Sequence, residues 1–346
     1  MATIREKGPY QWQVQIRRKG WPNQSATFRS KKTAEAWARK AEREMDQGFF
    51  VDQAEGRQTT LGDLIELYLE QVTANRPSEH AQVSERSKFM RFMREEKDLC
   101  AHAVVNLTPE QFEDYRDHRK RARLKNGKQI KPSTVNKELM QLKRVIDHRM
   151  RRLGLVINPV NTRDVKRLPV NDERDVRLSA MERKRLLEAC SDLRNPLIGP
   201  FVEMGFETGA RRGSLLRLEW RDVCLKRRTA LLRGVKNSRS PEKILNHRIG
   251  LTPRAVEILE ILPHTDDRVF PMTENAFRLA FNRAREKAGL KHFRFHDTRH
   301  ERVSSLFEAG WSMVQVMAQS GHRDPKSVKR YANISGEFLA DQLAKL

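Results

Sequence analysis

The sequence predicts a mainly α protein with small β elements, divided into several domains. These are an N-terminal β-sheet plus helix module, an all-helical domain, and a mixed α/β domain dominated by helices. Three observations lead there. Residues 8–28 alternate apolar and polar side chains, the period of half-buried strands. Residues 58–160 carry successive runs at helical spacing with no strand signal between them. Two polar, poorly periodic stretches, VDQAEGRQTT from residue 51 and NPVNTRDVKRLPVNDERDV from residue 158, read as linkers and divide the chain into 1–57, 58–160 and 171–346.

Taken in order, GPYQWQVQIRRKGWPNQSATF predicts two or three short strands around a basic turn at Arg17, Arg18, Lys19 and Gly20. Ser30 then caps a helix that runs to Gly48. Trp12, Trp21 and Trp37 are expected to fill the small core rather than to stack on bases. Thr60 caps the next helix, with Asp63 in its first turn and Leu61, Leu64, Ile65, Tyr68 and Leu69 at helical spacing. Further helices are expected over about 83–97, 109–123 (Thr108 cap, Pro109 at its first position) and 134–153. The last has Ser133 as cap, places Val135, Leu139, Leu142 and Ile146 on one face, and ends at Gly154. Beyond the second linker, Ser179 and Glu182 form a capping box. TALLRGV and HRIGLT predict a hairpin, followed by helices at about 274–288, 296–309, 312–320 and 325–334 and an amphipathic tail, FLADQLAKL.

Charge narrows the function. The 346 residues hold 68 Lys plus Arg against 45 Asp plus Glu, a net +23. The excess is +5, +8 and +10 over residues 1–57, 58–170 and 171–346, so it is spread along the chain rather than held in one tail. That distribution suits a protein lying along a polyanion, and duplex DNA is the expected partner. A membrane surface is the weaker reading, because no basic amphipathic helix with a clean aromatic face occurs. Cys100, Cys190 and Cys224 are few and far apart, which argues against a disulfide framework or a cysteine zinc site and fits a reducing cytoplasm. The N-terminus lacks the apolar core of a signal peptide. Expected phosphate contacts are Arg17, Arg18 and Lys19 in the basic turn and Arg119, Arg121 and Arg123 in the second domain; a basic run of this kind is usually just a solvated face, but in a chain of net charge +23 phosphate contact is the favoured reading.

Four short pieces of the last domain carry chemistry. They are TGARRGSLLRLEW (208–220), GVKNSRS (234–240), FHDTRH (295–300) and GHRDPKSVKRY (321–331). Together they supply Arg211, Lys236, His296, Arg299, His322 and Tyr331: two guanidiniums, an ammonium, two imidazoles and a phenol. Phosphoryl transfer without a metal needs this set. A phosphodiester under attack gathers negative charge on its non-bridging oxygens, which preorganised donors stabilise. Arginine suits that task because its fork is planar, permanently charged and bidentate toward phosphate. A tyrosine hydroxyl can serve as nucleophile where cations stabilise its anion, and the departing oxygen needs a proton. Read singly, Arg211 is a surface arginine, His296 a core histidine and Tyr331 helix packing. HDTRH also has two histidines at the spacing of a zinc helix, with Arg299 between them to repel a metal.

In this order the pieces resemble the tyrosine recombinase family, the phage-type integrases. TGAR resembles the first arginine box, HDTRH the H-x-x-R box, and GH with a Tyr nine residues after the His the terminal box. The resemblance covers 171–335. It implies that residues 58–160 are a core-binding domain and residues 1–57 an arm-type DNA-binding module. It implies that Tyr331 attacks the scissile phosphate, leaving a 3′-phosphotyrosyl link and a free 5′ hydroxyl. Arg211 and Arg299 would clamp the phosphate with His322, Lys236 would protonate the 5′ oxygen, and His296 would assist proton transfer at Tyr331. No metal, ATP or other cofactor is implied. The implied partners are double-stranded attachment-site DNA, a homotetramer with the tail docked on a neighbour, a directionality factor and a DNA-bending host protein. The implied reaction is site-specific integration and excision of a mobile element such as a prophage through a Holliday junction, with the two larger domains closing on duplex DNA as a clamp. Two departures stand out: Ser214 occupies a usually acidic position, and Ser320 precedes the GH pair where Leu is common. The alternatives are a Xer-like resolvase and a non-catalytic DNA-binding regulator on the same scaffold.

Overall fold

Alternation builds the first sheet. In the computed structural model, which describes residues 2–48, 50–124, 126–171, 176–234, 246–329, 331, 340, 343 and 344, strands β1 (Ala2–Gly8), β2 (Gln11–Ile16) and β3 (Gln24–Phe28) form an antiparallel sheet in that order. Val14 pairs with Ile4 and Ala26, and Val14 and Ile16 are fully buried. The sheet starts six residues earlier than the sequence suggests, since ATIREKG is too polar to signal a strand by itself. Helix α1 (Lys31–Asp46) covers it with a stripe of Ala34, Ala38, Ala41 and Met45, in which the three alanines let helix and sheet approach closely. Ser30 caps α1 by accepting the Thr33 N–H. Trp12, Trp21 and Trp37 pack at the edge of this cluster.

The first expected linker is ordered. Its centre forms α2 (Ala54–Gln58), where Gly56 faces Leu153 so closely that a Cβ would lie 2.2 Å from the Leu153 carbonyl oxygen. Helix α3 (Leu61–Tyr68) follows, with the full Thr60–Asp63 capping box, and runs into a π turn at Leu69–Thr73. Helices α4 (Glu79–Glu95), α5 (Lys97–Ala101), α6 (Pro109–Arg121) and α7 (Pro132–Arg149) complete a second core around Leu64, Phe112, Leu139 and Ile146. The cap of α7 is Lys131 with Pro132 at the first turn, rather than Ser133. Much of the second expected linker also packs: Val160 and Val165 join this core, and Asn136 exchanges hydrogen bonds with the Leu168 backbone in both directions at 2.9 Å.

One expected DNA contact is corrected here. Arg119 lies on the buried face of α6 with Phe112 and Tyr115, and its Nε and Nη2 donate to Glu138 at 3.0 and 3.3 Å. Glu138 also accepts from Arg91 at 2.6 Å and from the Tyr115 hydroxyl at 2.9 Å. A guanidinium this committed in the core is not available to phosphate. Burial pushes the Glu138 carboxyl up, but hydrogen bonds from Arg119 and Arg91 outweigh it and hold it below the usual carboxylate range. The stabilisation is therefore present above the ordinary carboxylate pKa and lost as pH falls through the lowered one. Glu138→Ala leaves Arg91 and Arg119 with only their longer contacts to Glu95, at 3.7 and 3.6 Å, and should destabilise this unit by about 3 kcal/mol. A urea midpoint unchanged by the substitution would refute that account.

The chain divides into two compact units, Met1–Asp172 and Glu173–Leu346. In the second, α8 (Ala180–Ser191) carries the predicted Ser179–Glu182 capping box. It is followed by α9 (Ile198–Thr208), α10 (Arg212–Leu216), a sheet of β4 (Val223–Cys224), β5 (Thr229–Leu232) and β6 (His247–Gly250), and α11 (Pro253–Ile261). Ala230 pairs with Ile249 in the antiparallel hairpin; its connecting residues 235–245 lie outside the described set. Helices α12 (Glu274–Lys287), α13 (Phe295–Glu308), α14 (Met313–Ser320) and α15 (Pro325–Lys329) follow. Phe201, Phe270, Phe277 and Phe293 are at the centre of the core. Among the described residues no helix is long and apolar enough to cross a membrane.

Candidate active site

Helix ends in the second unit assemble the site. Helix α9 terminates at Gly209, whose φ of +63° is left-handed and favours glycine. Just before it, Thr208 Oγ1 donates to the Met204 carbonyl at 2.6 Å and accepts the Ala210 N–H at 3.2 Å. This tight turn delivers Arg211 in extended conformation as the cap of α10, its carbonyl accepting the Ser214 N–H at 2.8 Å. Ser214 is buried at that helix start, where the family pattern leads one to expect a carboxylate.

The second box opens α13. Asp297 Oδ2 accepts the Arg294 N–H at 2.8 Å and fixes the first turn. Gly205 of α9 lies against the Phe295 ring, where a Cβ would come within 2.8 Å, so the two helices pack closely. Arg299, one turn in and only 2% exposed, thereby reaches both neighbouring turns: Nη1 donates to the Gly209 carbonyl at 2.8 Å and Nη2 to the Ser320 carbonyl at 2.7 Å.

The third box lies on the turn that leaves α14. Gly321, at φ +69°, has the His247 ring 2.9 Å from where a Cβ would stand. Gln319 secures this turn to β6: its carboxamide accepts the Gly250 N–H and donates to the Gly250 carbonyl, both at 2.9 Å, in the manner of an added strand residue. His322 follows, with Nδ1 2.7 Å from Ser320 Oγ and its ring against Arg299 Nη2. Tyr331, just after α15, is 6% exposed and donates its N–H to the Val328 carbonyl at 2.9 Å. Its ring lies 4.9 Å from that of His300 and 5.9 Å from that of His322.

Electrostatics tie the remaining residues to this centre. Burial lowers the Arg211 pKa, and the Tyr331 phenol opposes that shift, so the two are within electrostatic reach. His296 is exposed at the start of α13, although protein surrounds part of its side chain. Burial first, then the charges of His300, Arg299 and Arg211, push its pKa down to about 4. That exposure limits the effect of burial, but the neighbouring charges act in the same direction and favour the neutral ring. A neutral imidazole can accept a proton; it cannot serve as a standing charge for phosphate.

Arg211, His296, Arg299, His322 and Tyr331 thus come together, while Lys236 lies outside the described residues. His300 joins them; the sequence offers it only as half of a zinc-spaced pair. It is one turn past His296 on α13, and its ring is 5.1 Å from that of His296, so the helical spacing marked the residue but not its place beside Tyr331. Among the described residues no group of three or more His, Cys, Asp or Glu is placed to hold a metal. Of the expected DNA contacts in the first unit, Arg17, Lys19, Arg121 and Arg123 are exposed. Arg18 instead donates to the Glu42 carbonyl at 3.2 Å and pairs with Asp46.

With this geometry in hand, comparison with known proteins is specific. Residues 176–337 match the model of the phage integrase family. The shufflon-specific DNA recombinase of Escherichia coli is 28% identical over 291 residues, covering 83% of this chain and 72% of that protein. A putative integrase/recombinase of Haemophilus influenzae is 27% identical over 341 residues, covering 94% and 85%. Among solved structures, the lambda integrase tetramer bound to a Holliday junction aligns with a TM-score of 0.59 at 17% identity, over 95% of this chain and 94% of that one. At that identity the likeness is one of fold.

Proposed function

We propose that this chain, a tyrosine recombinase by its phage integrase family domain at residues 176–337, breaks and rejoins duplex DNA through a 3′-phosphotyrosyl intermediate on Tyr331. The observation that carries this reading is the convergence of two arginines and three histidines on one buried tyrosine.

The chemistry follows from those groups. Tyr331 Oη bonds to phosphorus as the bond to the 5′ oxygen breaks, and that oxygen leaves with a proton. Arg211 and Arg299 neutralise the charge that grows on the non-bridging oxygens, fixed in place before the reaction by the turns that hold them. His322 adds a donor to the same phosphate. His296, held neutral, and His300, beside the phenol ring, are the groups available to take the phenolic proton. Lys236 keeps the role of acid to the 5′ oxygen that family resemblance implies. The phosphotyrosyl bond conserves the energy of the broken ester, so a 5′ hydroxyl from a partner strand can reverse the step. Carried through two strand pairs, this gives a Holliday junction and strand exchange, with a homotetramer and attachment-site DNA as the working assembly and integration or excision of a mobile element as the outcome. The relatives named as integrases and recombinases support that class.

The test is a covalent-adduct assay in EDTA without ATP, using supercoiled attachment-site DNA and a detergent quench. Protein linked to 3′ ends is expected. Its absence, with DNA binding intact, would favour a non-catalytic DNA-binding regulator. Binding should be dominated by phosphate contacts, so log K should fall against log salt with a slope of about 0.9 per phosphate neutralised. An affinity nearly independent of salt would refute it.

A further inference from the structure

Ser320 interrupts the usual pattern ahead of the GH pair, and its surroundings give it a task. It is 5% exposed. Its Oγ lies 2.6 Å from the Val316 carbonyl oxygen and 2.7 Å from His322 Nδ1. A hydroxyl has one proton, and a carbonyl oxygen only accepts. The Ser320 proton is therefore committed to Val316, one turn back along α14. The contact to the ring must then run the other way, with Nδ1–H donating to Oγ.

Arg299 does not compete for either ring nitrogen. Its Nη2 is 3.2 Å from Nδ1 and 3.1 Å from Nε2. The two nitrogens flank Cε1, so an atom almost equally near both lies over the ring face and not on a lone pair. The same Nη2 donates to the Ser320 carbonyl at 2.7 Å. Ser320 thus holds Arg299 with its backbone and His322 with its side chain.

We propose that Ser320 is a positioning residue that fixes His322 in its Nδ1–H form, leaving Nε2 as the nitrogen for the scissile phosphate. This rests on the phosphate-binding role proposed for His322. In the neutral ring Nε2 then carries a lone pair and repels a phosphate oxygen; only the protonated ring donates from Nε2. The contribution of His322 is accordingly present at low pH and lost as the ring deprotonates. The groups placed around it are Arg299 from α13 against the ring and Tyr331 after α15 at 5.9 Å, with His300 and Arg211 beyond Tyr331, His247 of β6 against the preceding Gly321, and Arg323 and Asp324 next in the chain. The guanidiniums oppose ring protonation, and a bound phosphate favours it. Without Ser320 Oγ the neutral ring is free to take the Nε2–H form and can donate at any pH.

Two measurements on the full chain test this. The first is nitrogen NMR of ring-labelled histidine, with the His322 signals assigned by their loss in His322→Gln. At about pH 8, where an ordinary histidine is neutral, the wild type and Ser320→Thr should show Nδ1–H, and Ser320→Ala a substantial Nε2–H fraction. An Nε2–H wild type overturns the proposal. The second is the single-turnover rate of adduct formation between about pH 6 and 9. The wild type and Ser320→Thr should slow as pH rises. Ser320→Ala should start about threefold to tenfold slower, the worth of one hydrogen bond, and stay flat. A Ser320→Ala profile parallel to wild type at every pH would mean a merely structural serine and would also overturn the proposal. Absence of any wild-type adduct would refute the recombinase reading, while the NMR result would still decide the tautomer.

Discussion

Replacing Tyr331 by Phe removes a single oxygen and should abolish covalent attachment to DNA, lowering adduct formation by about 10⁴-fold or more. The fold should survive, because the phenyl ring still fills the small cluster of Val303, Leu306, Phe307, Val316 and Val328. DNA affinity should change by no more than about twofold, since phosphate contacts set it. The remaining tyrosines do not offer a substitute. The Tyr115 hydroxyl donates to the buried Glu138, and burial together with that carboxylate pushes its pKa far up, out of reach of a nucleophile. Tyr68 is buried in the helical core with Arg76 at its hydroxyl. Tyr10 is exposed at a turn of the N-terminal sheet. A detergent-resistant adduct that persists in Tyr331→Phe would therefore displace the assignment of the nucleophile as a whole. Loss of adduct with equal loss of DNA binding would instead point to a folding defect, which a thermal melt would reveal.

The site was legible in the sequence because each box is a helix end, and helix ends are written in local chemistry: a glycine at a left-handed cap, a polar first turn, a fixed offset between His296 and Arg299. What lay hidden depends on contacts between distant segments. Nothing near residue 319 announces that Gln319 pairs with Gly250, and Ser320 reads as a mere departure until Val316 and His322 are seen on either side of its hydroxyl. Arg119 is an instructive error. In PEQFEDYRDHRKR it looks like one more cation in a basic run, yet its spacing from Phe112 and Tyr115 is that of the buried face. The period carried the signal, and the composition concealed it, because the acid that neutralises Arg119 sits on the next helix. The expected linkers failed for a related reason. Polarity without periodicity does not distinguish a free connection from one pinned by a buried glycine at Gly56 or by the side chain of Asn136.

Arg299 offers the second large effect, and it separates bracing from catalysis. Its guanidinium carries five N–H donors, two of which fasten the α9 turn at Gly209 and the α14 turn at Ser320. Any donors left over are the ones a phosphate can use. Lysine keeps the charge but cannot span two carbonyls and a phosphate from one ammonium. Arg299→Lys should therefore fold with a modest loss of stability and slow adduct formation by about 10²–10³-fold, the usual cost of losing a preorganised donor. Arg299→Ala leaves two buried carbonyls without their donor and should destabilise the second unit by about 2–4 kcal/mol as well as abolishing adduct formation. Urea midpoints and adduct rates together read both effects. Near-normal rates in Arg299→Lys would make this arginine a brace only, and an unchanged midpoint in Arg299→Ala would deny it even that. The expected result, stability following the carbonyls and rate following the fork, would mean that one side chain shapes the pocket and fills it. That is also why a small change at Ser320, whose carbonyl holds Arg299 and whose hydroxyl holds His322, should register in the chemistry at Tyr331.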